Sequence, residues 1–337
     1  MATIRNTEYK PPFTWFGGKS AVVSVVWDSI GDCGNVIEPF FGSGAFLFLR
    51  PHAPRIETVN DADGLLCNFW RALKHDANAV ADAADNPVNE CDLHARHMWL
   101  VGQRERITDR LCGDPDFFDA KAAGWWCWGI NCWIGGGWCS GNGPWREEKG
   151  VMVLAENGQV NRQMPHLGSS GQGVNRKMPH LGDAGQGECA DRRAWLSGYL
   201  RRFSDRLRNV RVCCGDWSRV TGPSVTWKHG TTGVFLDPPY AAGTGRDMGL
   251  YAKDCGNISA AVRDWALREG ENPLMRIALA GYDGEHAMPN GWRVHEWQTT
   301  GGYSLQGAEG SASRANRKRE RIWFSPNCLT PGGDLFQ

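Results

Sequence analysis

Residues 234–245 read VFLDPPYAAGTG. An apolar run ends on Asp237, Pro238, Pro239 and Tyr240. A residue that precedes proline is pushed toward extended backbone, so this turn is stiff. Two of its positions have no amide N–H, which leaves carbonyls facing outward as acceptors. Asp237 adds a carboxylate, and Tyr240 adds a flat ring. A planar ring bearing an NH₂ group is the natural guest for such an acceptor-only cluster. A proline-rich strand end with no ligand is the plain alternative.

Two other stretches bear on the same chemistry. In IEPFFGSGAF (37–46) a strand ends at Glu38, and Gly42 and Gly44 open the following helix. Glycines at that point let a ligand approach the backbone closely. The spacing lacks the third glycine of the dinucleotide fingerprint, so it also reads as an ordinary tight turn. Asp61 lies 19 residues after Gly42, at the end of the next expected strand. An acid at that place can accept hydrogen bonds from ribose hydroxyls. In TWFGGKS (14–20), Trp15 and Lys19 flank two glycines, in a loop able to close over a ligand. Its lysine can meet a carboxylate, and the spacing is not that of a Walker loop.

Taken in order, WFGGK, IEPFFGSGAF, VNDAD with NFWRALK, and CGDW shortly before VFLDPPY resemble the Dam-type DNA adenine methyltransferases in the alpha arrangement. The resemblance covers roughly residues 10–76 and 190–327. It implies S-adenosyl-L-methionine as cofactor, held at Trp15, Gly18, Lys19, Glu38, Phe40, Gly42, Gly44, Asp61 and Asp237. It also implies Asp237, Pro238, Pro239 and Tyr240 as the catalytic motif. The substrate it implies is double-stranded DNA with an adenine flipped out of the stack. GATC as target rests on the resemblance alone, and a restriction-system or phage context is left open.

The elements that must position these residues are legible in part. NVIEPF and RIETVND read as strands, each followed by a helical pattern. Leu66, Phe69, Trp70 and Leu73 share one face of the second helix. Strand–helix alternation at this pace predicts a Rossmann-like α/β methyltransferase sheet with parallel strands. The alternation resumes with the helix at 191–210, where Trp195, Tyr199, Phe203 and Leu207 recur every four residues. Its other face carries Arg193, Arg201, Arg202, Arg206 and Arg208. Further strands follow in VRVCC, GVFL, MRIALAGY and ERIWF. The reading is a catalytic domain built from 1–85 and 191–337, with a target-recognition insert at 86–190 that shows no sustained period.

The insert contains VNRQMPHLGSSGQG (160–173), followed directly by VNRKMPHLGDAGQG (174–187). Two such glycine-rich units are too few for a solenoid. Arg162 and Arg176 are candidates to address guanine, and Asn161 and Asn175 adenine. A duplicated loop that touches nothing is the alternative. Arg201 and Arg202 on the 191–210 helix, and Arg314 and Arg317 in SRANRKRER, are candidates for DNA phosphates.

Composition sets outer bounds. The chain has 337 residues, 41% hydrophobic, with 37 basic and 37 acidic side chains and a formal net charge of +0. Nucleic-acid binding needs a local basic surface rather than a basic total, so this excludes nothing there. The polar start carries no secretory pattern, and 12 cysteines without one suggest reduced thiols and a cytoplasmic protein. Cys127, Cys132 and Cys139, with His166 or His180, fit no standard zinc spacing, so no metal is expected. A monomer is the default. Two other classes stay open: an amino-methyltransferase acting on RNA or on cytosine N4, and a non-catalytic nucleic-acid-binding module on the same fold.

Overall fold

The computed structural model describes residues 9–13, 15, 19–133, 138–139, 145–148, 151–154, 190–239, 255–297 and 320–330. The chain begins with α1 (Val23–Ile30), β1 (Asn35–Glu38), the short α2 (Ala45–Phe48), β2 (Ile56–Asp61), α3 (Gly64–His75) and α4 (Ala77–Ala84). Two longer helices follow, α5 (Glu90–Gly113) and α6 (Ala120–Cys132). A separate antiparallel pair, β3 (Trp145–Glu148) and β4 (Val151–Leu154), precedes α7 (Ala190–Leu207). The rest is β5 (Arg211–Cys214), β6 (Thr232–Leu236), α8 (Cys255–Gly270), β7 (Met275–Tyr282), β8 (Arg293–Glu296) and β9 (Glu320–Phe324).

The main sheet is seven-stranded, in the order β5-β2-β1-β6-β7-β9-β8. From β5 to β7 the strands run parallel, and β9 and β8 pair antiparallel at the far side. This is the mixed α/β sheet of the Rossmann-like methyltransferase fold. β1 pairs with β2 on one side and with β6 on the other, so the chain reverses its direction of travel between β1 and β6. In open α/β sheets, ligands bind in the crevice at the carboxyl ends of the strands where that reversal occurs. The motifs IEPFFGSG and DPP both begin there.

The central strands are buried on both faces, which is why they read as continuous apolar runs rather than alternations. Gly233 in β6 lets α1 lie close, because a Cβ there would come within 2.4 Å of the Ile30 side chain. On the opposite face, Phe13, Phe48, Phe69, Trp70, Trp126 and Phe203 form one aromatic cluster with α3, α6 and α7.

Residues 90–132 correct the reading of that stretch as lacking a regular period. α5 is a helix of 24 residues that fully buries only His97, Leu100, Ile107 and Leu111. That stripe is too narrow to register as an amphipathic pattern. It starts at Asn89, whose side chain accepts from Asp92 N–H. In α6 the glycines mark contacts, not loops. A Cβ on Gly124 would come within 2.5 Å of the Ala83 side chain in α4, and one on Gly129 would strike the Trp138 ring. Tight helix packing, with tryptophans filling the space around it, explains a Gly/Trp-rich segment that stays helical.

Candidate active site

Strand β1 delivers Glu38, and the loop behind it turns twice through left-handed backbone, at Gly42 (φ 49) and Gly44 (φ 72). A side chain at Gly42 is also barred by space, since the Trp15 indole lies 2.7 Å from where its Cβ would stand. Strand β2 delivers Asp61, which faces this loop: its Oδ2 accepts from Gly42 N–H at 3.0 Å. Its Oδ1 accepts from Asp63 N–H at 3.0 Å. Asp63 in turn caps α3 and pairs with Arg104. Burial pushes the Asp61 carboxyl up to about 6, against the pull of these backbone donors. Trp15, Gly42 and Asp61 therefore form one unit.

Glu38 is turned inward. Its Oε2 accepts from Leu47 N–H at 3.2 Å, at the start of α2, and burial raises its carboxyl well above the usual range. The Asp237 and Asp61 carboxylates add to that rise.

Strand β6 delivers Asp237, beside the end of β1. Lys19 is the residue that meets it, with Nζ 3.0 Å from Asp237 Oδ1 and 3.8 Å from Glu320 Oε2. Lys19 and Glu320 are buried, while Asp237 keeps part of its carboxylate exposed. The lysine is thus a structural cation that links the N-terminal loop to the ends of β6 and β9. Pro238 is buried and Pro239 half-buried.

Two aromatic residues complete the crevice. Phe40, after β1, and Trp217, after β5, face each other as near-parallel rings 6.4 Å apart. Asp216 beside Trp217 accepts from Ser218 N–H and starts a 3₁₀ turn at Trp217–Val220. Trp217 was not among the expected site residues. Its signal was its place directly after the CGD turn, at the end of the strand neighbouring the one that carries Asp61.

Other expectations fall elsewhere. Arg201 is exposed and bonds Asn78 Oδ1, and Arg202 lies over the Tyr199 ring 5.3 Å away. Arg206, expected on the solvent face of its helix, instead turns inward to Glu57, with Nη1 at 2.6 Å from Oε2. Gly18, Tyr240, Arg162, Arg176, Arg314, Arg317 and the tandem repeat lie outside the described residues. Cys127 and Cys139 are buried thiols whose burial raises them far above the usual range. Among the described residues, no three His, Cys, Asp or Glu side chains converge into a metal-ligand set. Also among the described residues, no helix is long and apolar enough to cross a membrane.

Sheet order, switch point and a carboxylate with prolines at the end of β6 are consistent with a Rossmann-like methyltransferase fold. Residues 15–96 match the family model of the D12 class N6 adenine-specific DNA methyltransferases. The match agrees with the Dam-type resemblance and indicates an adenine-specific DNA methyltransferase, with DNA as its substrate. It runs from the Trp15 loop into α5, across the glycine turn and Asp61. No curated protein matches the chain.

Proposed function

We propose that this enzyme transfers a methyl group from S-adenosylmethionine to the exocyclic N6 amine of an adenine flipped out of double-stranded DNA. The observation that carries the reading is the meeting, at one switch point, of the Asp61–Gly42 unit and the Lys19–Asp237 pair.

The crevice suits the cofactor. Asp61 is a half-buried acceptor at the place where ribose hydroxyls would lie. Phe40 and Trp217 offer ring faces for an adenine base, and the Gly42–Gly44 turn leaves backbone accessible to the methionine part. When bound, S-adenosylmethionine supplies an electrophilic methyl group on a sulfonium.

Asp237 and the Pro238 carbonyl act on the substrate amine, whose lone pair is delocalised into its ring. Each accepts one N–H, which draws the nitrogen toward tetrahedral geometry and stabilises the positive charge that develops on it. Lys19 fixes the carboxylate so that one edge faces the crevice. The prolines keep competing donors out of the turn. Tyr240 stacks on the flipped base, whose extraction from the duplex is required because the amine is otherwise inside the stack. Arg201 and Arg202 of α7, with Arg314 and Arg317, contact phosphates. The segment 86–190 reads the sequence, with Arg162 and Arg176 as its guanine contacts.

Labelled S-adenosylmethionine with duplex DNA, followed by nucleoside analysis, tests this directly. Wild type is expected to yield N6-methyladenine. Asp237→Ala is expected to abolish transfer while the fold and much of the DNA binding remain. Near-normal turnover in that variant overturns the reading.

A further inference from the structure

A second pocket lies away from the switch point, along the outer edge of the sheet. Its volume is about 440 Å³. Its walls come from α3, the end of α5 and the edge strand β5, and include Arg71, Lys74, His75, Arg211 and Arg219 but no carboxylate. Among the described residues none of these five side chains is held in an ion pair.

Some of this positive charge is committed to the fold. Arg71 donates to the carbonyls of Leu111, Asp114 and Val212, and Lys74 donates to Val210 O. Arg219 Nη1 donates to Cys214 O at 2.8 Å. A carbonyl acceptor leaves the charge uncompensated, and the basic groups feel one another. The Lys74 ammonium is lowered by burial and by Arg71. His75 is lowered by burial and by both of these cations, with Asp116 opposing from outside the lining. Arg211 is exposed at the rim.

The backbone adds donors. β5 pairs only with β2, so its other edge faces the pocket. The Val212 and Cys214 carbonyls point that way, toward Arg71 and Arg219. In a strand a residue's N–H lies on the same side as its C=O, so the N–H groups of Val212 and Cys214 point there too. The exposed Arg211 guanidinium, the remaining Arg219 donors and the open strand-edge amides are donors of the kind that bind anions.

We propose that this pocket binds a phosphate group of a nucleotide, either free or within a DNA chain. The volume exceeds what a bare phosphate needs and falls in the range of small-ligand sites. Planar arginine forks favour phosphate over a monovalent ion. Three strand spacings, roughly 14 Å, separate β5 from β6 and set the pocket apart from Asp237, while Arg219 and Val220 in its wall share the turn that carries Trp217. Its free-phosphate arm is independent of the methyl-transfer reading, and its DNA arm rests on that reading, so the two are tested separately.

The test uses the full chain and no turnover assay. Calorimetric titration with pyrophosphate and with ADP is run on wild type, Arg211→Ala and Arg219→Ala, with thermal melts as the check on folding. Alkylation of Cys112, an exposed thiol in the pocket wall 3.9 Å from Arg219 Nη1, gives a second readout by peptide mass spectrometry. A free ligand is expected to bind wild type, slow Cys112 alkylation, and bind about tenfold more weakly to each variant. If the phosphate belongs to DNA, pyrophosphate and ADP fail to bind. Arg211→Ala then weakens a 30-base-pair duplex about threefold and lowers the salt slope by about one, leaving a 12-base-pair duplex unaffected. Unchanged binding of small phosphates and of both duplexes in the variants overturns the proposal.

Discussion

Lys19 Nζ lies 3.0 Å from Asp237 Oδ1 while also facing Glu320 at 3.8 Å, so one buried lysine serves two carboxylates from different strands. Lys19→Met would remove this ammonium from both carboxylates. Removing one partner of a buried pair costs about 3–5 kcal/mol, and a misplaced catalytic group costs about 100-fold in rate. Thermal melts and single-turnover methylation should show both losses, and Glu320→Gln should spare more of the rate. A variant that melts and turns over like wild type would show that the cluster does neither job.

Asp61 and His97 should give opposing pH dependences of stability. The Asp61 carboxyl is raised to about 6, so its contribution is full below about 4 and is lost as pH rises through 6. His97 is lowered by burial to about 4, so its contribution is present above about 6.5 and is lost as pH falls toward 4. Each amounts to about 3 kcal/mol, and the two overlap. Denaturant melts from pH 4 to 7 should therefore be flatter for wild type than for either variant. Asp61→Asn should gain stability as pH rises, and His97→Gln should lose it.

Protonating Asp61 also removes an acceptor from the crevice proposed for the cofactor. S-adenosylmethionine affinity is expected to fall as pH drops through about 6, in step with the Asp61 carboxyl. Equilibrium dialysis across that range checks it, and Asp61→Asn should bind weakly at every pH. A flat profile for wild type would remove Asp61 from the cofactor site.

Glu57 sits at the far end of β2, buried, and is held by Arg50 Nη1 at 2.9 Å and by Arg206 Nη1 at 2.6 Å. Glu57→Gln takes the carboxylate from Arg206 and leaves Arg50 only Asp32 at 3.5 Å, and should cost about 3 kcal/mol in urea unfolding. Cofactor affinity measured on the folded fraction should not change, since this end of the sheet is opposite the crevice.

Gly42→Ala meets both a left-handed backbone and the Trp15 ring at 2.7 Å. Its backbone strain costs about 1–3 kcal/mol, and displacing Trp15 should weaken cofactor binding by about tenfold. Trp15→Ala in the same chain should recover part of the stability but not the cofactor affinity, which would locate the clash in that contact.

The sequence by itself determined the local geometry and the order of the motifs. Prolines after Asp237 and glycines at 42 and 44 act through neighbours in the chain, so their local conformations are readable from the sequence. The strands β1, β2, β5, β6, β7 and β9, and the helices α3 and α7, were legible for the same reason: burial leaves a period or an apolar run. Tertiary structure alone decided that Lys19 meets Asp237, that Asp61 bonds Gly42, that Arg206 turns inward to Glu57, and that Trp217 faces Phe40. Those pairs join residues far apart in the chain. No local rule fixes which buried charge finds which partner. The helices at 90–132 were hidden because their faces are too narrow, or too rich in small and aromatic contacts, to show a period before the packing is known.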